Sequence, residues 1–213
     1  MQAILQSGYN KNRRLFKGGG HLNFAVVGRL TNNLYICYMY LHQHHTEFFT
    51  ATNLNWLPVL QKDIYKQILI EALQRRVQND QLTINAFVIM PNHFHIIWQI
   101  HDGINKADFL RDFMKFTARS ILKFMFMNDD PLQESLQVKA ADRKQQVWER
   151  NSLSIELYTE EVFLQKLDYI HNNPLQPKWN LCKLPEEYFY SSAKFYETGG
   201  RQDDFKMLTH FRG

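Results

Sequence analysis

Cysteine is nearly missing from this chain. Of its 213 residues only Cys37 and Cys182 carry a thiol, and they lie too far apart for a disulfide framework or a zinc-ribbon spacing. Two isolated thiols fit a reducing cytoplasm. A long unbroken apolar run is missing too: the most apolar N-terminal stretch, 22-LNFAVVGRLTNNLYICYMYL-41, is interrupted by Arg29 and by Thr31-Asn32-Asn33. That excludes it as a membrane span, and no signal peptide is recognisable. Bulk charge is also modest, because a formal net charge of +4 permits a nucleic-acid partner without requiring one. Acidic residues are absent from the first 45 positions, which hold Lys11, Arg13, Arg14, Lys17 and Arg29, leaving 20 basic against 21 acidic residues elsewhere. A DNA-binding surface in the main body must therefore arise from local patterning.

What is present argues for a folded protein with one main core: 45% of the residues are apolar and 14% aromatic. The first 20 residues end in Gly18-Gly19-Gly20 and read as a mobile basic arm. Residues 21–45 hold one or two strands and finish in 42-HQHH-45, an exposed linker without a fixed ligand role. From Glu47 the pattern is regular. A strand over 47–56 precedes a helix over 61–78, and strands over 82–90 and 93–100 meet at the Pro91-Asn92 turn. A second helix, about 106–126, carries Phe109, Phe113 and Phe116 on its inner face. Arg111, Lys115, Arg119 and Lys123 form a basic row on another face, which suits either solvent or a phosphate backbone. Residues 128–146 read as a loop. A third helix starts at the Thr159 cap, buries Phe163, Leu167 and Ile170, and stops near Pro174. This order of elements predicts an α+β fold, with helices covering one face of an antiparallel sheet.

The stretch 90-MPNHFHIIWQI-100 carries the first hint of chemistry. On a strand His93 and His95 share one face while Phe94, Ile96 and Trp98 share the other. Two adjacent imidazoles suit one divalent ion, although an isolated His-x-His is cheap to obtain by chance. In the third helix Tyr169 and Asn173 stand one turn apart. A phenol becomes a competent nucleophile where a metal polarises the phosphate it attacks, and an amide oxygen can complete the metal site. The same two residues also fit a plain packing tyrosine and a helix-closing asparagine.

In combination and in order, 89-IMPNHFHIIW-98, 111-RDFMKFTAR-119, 167-LDYIHNNP-174 and 188-YFYSSA-193 resemble the REP-associated tyrosine transposases. These belong to the single-tyrosine HUH nucleases of insertion sequences. The resemblance covers about residues 46–198 and implies a ferredoxin-like α+β core, with residues 1–45 as a basic N-terminal extension and 199–213 as a C-terminal tail. It further implies that His93, His95 and Asn173 hold Mg²⁺ or Mn²⁺, and that Tyr169 attacks single-stranded DNA near an imperfect hairpin. The products would be a 5′-phosphotyrosine link and a free 3′-hydroxyl, and attack by a 3′-hydroxyl would rejoin strands. DNA contacts are expected from Arg111, Lys115 and Arg119 and, through the arm, from Arg13 and Arg14. A monomer or homodimer in the cytoplasm, associated with the nucleoid when bound to DNA, is the implied state. Two other readings remain: a cleavage-inactive DNA-hairpin-binding regulator, and a metal-dependent hydrolase using activated water.

Overall fold

A computed structural model of the chain describes residues 44–211 and, nearer the N-terminus, the backbone of three strands. The chain divides into two units, 1–43 and 44–213. In the first, β1 (Leu15–Gly18), β2 (His21–Leu30) and β3 (Asn33–Tyr40) make an antiparallel sheet in the order β1-β2-β3. The end of the segment expected to be an arm is thus a strand, whereas Arg13 and Arg14 lie outside the described residues.

The second unit begins with a β-α-β-β-α-β succession. In chain order these are β4 (Glu47–Thr52), α1 (Asp63–Gln78), β5 (Leu82–Ile89), β6 (His93–Ile100) and α2 (Lys106–Met127). A hairpin of β7 (Gln137–Ala140) and β8 (Arg143–Gln145) comes before the closing strand, β9 (Leu153–Glu156). Strands β5-β6-β4-β9 form one antiparallel sheet in that order, the ferredoxin-like arrangement. Two helices follow, α3 (Glu160–Asn172) and the short α4 (Ala193–Glu197).

Alternation along the strands divides the core in two. Phe49, Phe87, Phe94, Ile96 and Trp98 face the long helices α1 and α2, while Phe48, Ala86, Val88 and Ile97 face α3. A bulge between Ile84 and Ala86 lets β5 keep both faces in phase with β6. The α3 stripe of Phe163, Leu167 and Ile170 is buried in the second cluster, each side chain contributing about 1.5–3 kcal/mol. Helix α2 buries Phe109, Phe113, Thr117, Ile121 and Met125, and Phe116 is exposed. The stripe therefore runs straight along the i, i+4 row, held at Thr117, whose hydroxyl donates to Phe113 O at 3.0 Å and accepts the Trp148 indole at 3.1 Å.

Three boundaries differ from the sequence reading. Strand β4 stops at Thr52, because Asn53 N donates to Asn92 O and two single 3₁₀ turns follow, Leu54–Trp56 and Val59–Gln61. The expected loop at 128–146 contains a 3₁₀ helix, Pro131–Leu136, capped by Asp130, and then the hairpin. The C-terminal segment is not a free tail: Phe205 and Met207 are buried, and the Asp203 carboxylate accepts from the amides of Phe205, Met207 and Leu208.

The 188-YFYSSA-193 motif seals one edge of the sheet. Tyr188 OH donates to Ile89 O, Ile89 N to Tyr190 O, Ser192 N to Phe87 O, and Phe87 N to Ser192 Oγ. These bonds occupy the side of β5 that no described strand covers. Inside the sheet, the buried Glu47 carboxylate accepts from the Trp98 indole at 3.0 Å and also meets Lys106 and Ser154, joining β4, β6, α2 and β9.

Candidate active site

The antiparallel register of β4 against β6 puts Thr50 opposite His95 and Thr52 opposite His93. Because the histidines are out of phase with Phe94, Ile96 and Trp98, both imidazoles enter the α3 side, with ring centroids 4.7 Å apart. Each ring is fixed through Nδ1: Thr50 Oγ1 lies 2.7 Å from that of His95, and Asn92 Oδ1 lies 2.7 Å from that of His93. The Asn92 amide is oriented by its Nδ2, which donates to Trp56 O at 3.1 Å. Its Oδ1 can only accept, so His93 carries its proton on Nδ1 and leaves Nε2 as a lone pair.

Both rings are buried, and burial lowers their pKa from 6.5, to about 4 for His93 and about 3 for His95. Lys178 lowers both further, and His93 and Lys166 add to the effect at His95, while the adjoining Asn173 amide acts in the opposite sense on His93. At neutral pH both are therefore uncharged imidazoles, the form that binds metal ions.

Helix α3 brings the other half. Thr159 Oγ1 caps it by accepting from Val162 N, and Glu160 and Glu161 occupy its first turn, where negative charge suits the helix dipole. Tyr169 precedes the buried Ile170, so it emerges on the flank of the stripe. Its ring lies 5.1 Å from that of His95 and 6.0 Å from that of Phe48, and it is 42% exposed. Asn173 keeps helical angles (φ −57, ψ −44) and is buried, so the helical path extends one residue further before Pro174. Three buried polar atoms here have no hydrogen-bond partner among the described residues: His95 Nε2, Asn173 Oδ1 and the Nε1 of Trp179, whose ring lies 5.8 Å from that of His93. Leaving such atoms unpaired costs about 1–3 kcal/mol each. An imidazole nitrogen and an amide oxygen are both competent donors to a divalent cation, so the residues fit one. Among the described residues no three His, Cys, Asp or Glu side chains gather into a metal-binding group.

No family model matches the chain, and no curated protein does. Among solved structures it is similar to a REP-associated tyrosine transposase bound to a REP hairpin. That match has a TM-score of 0.54 at 20% identity and covers 82% of this chain and 98% of that one. The fold is of the ferredoxin-like HUH-nuclease type. A candidate transposase from Deinococcus radiodurans R1 is also similar, with a TM-score of 0.43 at 14% identity over 68% of this chain and 96% of that one.

Within this fold His93, His95, Tyr169 and Asn173 come together, and the basic row of α2 does not join them. Helix α2 covers the opposite face of the sheet, where Arg111 pairs with Asp108 at 2.6 Å and Asp112 at 3.2 Å. Lys115, Arg119 and Lys123 line a shallow surface hollow with Phe116. The cations beside the histidines are Lys166 and Lys178, which the sequence reading missed. Lys166 Nζ stands 5.1 Å from the Phe48 ring centroid and 6.0 Å from that of Tyr169, and Lys178 Nζ stands 5.6 Å from that of Trp179. The signal for Lys166 was its place one turn before Tyr169; Lys178 lies in a loop without periodicity. His171 turns away from the site, toward Ser192 Oγ at 3.0 Å. Among the tryptophans, Trp148 is buried, whereas Trp56 is 61% exposed. In the His-rich linker, His44 Nε2 bonds Ile104 O at 2.8 Å. No described helix is long and apolar enough to cross a membrane.

Proposed function

We propose that the second unit is a metal-dependent single-strand DNA transferase whose nucleophile is Tyr169. One observation carries this reading: two buried, partnerless donor atoms, His95 Nε2 and Asn173 Oδ1, lie in a cluster with His93, beside a half-exposed phenol. Mg²⁺ or Mn²⁺ held by His93, His95 and Asn173 would polarise the scissile phosphate and stabilise the charge that develops on it. The Asn92 and Thr50 contacts hold both imidazoles in place for that task. Lys166 and Lys178 supply positive potential for a phosphodiester, a role their position supports better than that of the α2 row.

The Tyr169 oxygen attacks phosphorus in line, the bond to the 3′-oxygen breaks, and the phenolic proton is made good at the departing 3′-hydroxyl through solvent. The product is a 5′-phosphotyrosine diester. Attack by a 3′-hydroxyl on that diester restores the phenol and joins DNA ends, so no external energy source is consumed. A water-activating hydrolase would need a base at the histidines, and among the described residues no carboxylate joins that pair.

The test combines covalent chemistry with metal binding. Labelled hairpin DNA with single-stranded tails, taken from the protein's own flanking region, is incubated with the chain and Mn²⁺, and an adduct that survives denaturation is sought. Wild type forms it and Tyr169→Phe does not. Separately, Mn²⁺ raises the melting temperature of wild type but not of His95→Ala. An adduct retained in Tyr169→Phe, or none with wild type, would sink the mechanism.

A further inference from the structure

Of the four tryptophans, Trp98 and Trp148 are buried and Trp179 is partly so, while Trp56 is 61% exposed. An indole left in solvent gains little from folding, yet the backbone beneath it is held under strain. Asn55 and Trp56 have φ of 51° and 58°, consecutive left-handed conformations that side-chain-bearing residues rarely adopt. The surroundings enforce them: Asn55 N donates to Glu149 Oε1 at 2.7 Å, Trp56 N to Asn53 O at 3.0 Å, and Asn92 Nδ2 to Trp56 O at 3.1 Å. The last of these matters most, since Asn92 also fixes His93. One side chain therefore locks the indole's backbone to the first histidine, and the two rings stand 6.1 Å apart at 63°. Trp56 also borders a hollow with Gln146, Arg150 and Asn151, whose amide and guanidinium groups suit the edges of nucleic-acid bases.

We infer that Trp56 is a stacking platform for the unpaired base of a nucleotide adjoining the phosphate at His93 and His95, with Gln146, Arg150 and Asn151 placed to meet that base's edge. The inference rests on the DNA-transferase reading above. Every base has a π-face, so the platform sets the position of the strand more than its sequence. These three polar side chains then supply whatever preference that nucleotide shows.

A protein–DNA double-mutant cycle tests it, with the full chain in a Tyr169→Phe background that prevents turnover. The probe is a fluorescein-labelled hairpin oligonucleotide with single-stranded tails from the flanking DNA, in Mg²⁺, alongside a series in which single tail nucleotides are made abasic. Trp56→Ala is expected to weaken binding roughly 5- to 150-fold, and Trp56→Phe by less. The Ala penalty should vanish on one oligonucleotide alone, the one abasic at the stacked position. A penalty equal across the series, or none on any member, overturns the inference. So does self-association that Trp56→Ala abolishes while DNA binding is unchanged, which would assign the indole to a protein interface. If the chain with Trp56 intact binds no single-stranded DNA, the transferase reading falls as well. An unmodified protein that forms its adduct while the cycle shows no coupling refutes this inference alone.

Discussion

Acidification should unfold this protein through three histidines. His93, His95 and His171 are held neutral, with pKa values lowered by burial from 6.5 to about 4, about 3 and about 4. Below pH 6.5 the unfolded chain binds a proton at each and the native state does not, so stability falls as pH falls, until the native values are reached. The slope is about 1.4 kcal/mol per pH unit for each histidine. At pH 5.0 the loss is then about 2 kcal/mol per residue and about 6 kcal/mol in sum, against a total stability of about 5–15 kcal/mol for a typical domain. His171 isolates one share, because it bonds Ser192 and takes no part in the metal-donor cluster. Urea unfolding followed by tryptophan fluorescence, in EDTA at pH 7.5 and 5.0, should show that His171→Gln loses about 2 kcal/mol less than wild type between the two conditions. Equal losses in both proteins, or a wild-type loss well under about 2 kcal/mol, would refute the reasoning.

Glu47→Ala strands the Trp98 indole and removes the buried partner of Lys106; it should cost about 3–5 kcal/mol in urea unfolding, and a loss under about 1 kcal/mol would contradict the tie described. Thr117→Val leaves Trp148 Nε1 without its acceptor and should lower stability by about 1–3 kcal/mol, whereas Phe116→Ala, at an exposed site, should cost much less in the same assay. Asn92→Ala releases both the His93 tautomer and the Trp56 carbonyl; calorimetric titration with Mn²⁺ should find affinity about 10- to 100-fold weaker, and an unchanged affinity would deny Asn92 its orienting role.

Much of the second unit was legible because its signals are local. Strand β6 has the bounds that Pro91-Asn92 and the apolar run predict, and α3 starts where Thr159 caps it. What stayed hidden depends on distant partners. Strand β9 is four mostly exposed residues, Leu153–Glu156, and has no alternation strong enough to read; it becomes a strand because β4 offers an edge. Periodicity placed Phe109 and Phe113 inside α2 but also the exposed Phe116, and it did not reveal which face of the sheet α2 covers, so its basic row looked closer to the histidines than it is. A clue was available: the histidines alternate out of phase with Phe94, Ile96 and Trp98, the side chains that pack beneath the crossover helices. Lys178 and Trp56 reach the histidines from loops whose path only tertiary contacts decide, and no spacing rule finds them.

The strip 188–192 along β5 also bears on what this protein can join. An uncovered strand edge invites other chains to extend the sheet, and β5 is the longer of the two outer strands. With Tyr188, Tyr190 and Ser192 occupying its outer groups, that margin is closed to growth by strand addition. At the opposite margin β9 presents only four residues, too short a template for firm pairing. Folding thus hides the most polymerisable margin of the sheet with residues that arrive about a hundred positions after it. A nascent chain that has made β5 but not yet Tyr188 is accordingly the form most exposed to aggregation.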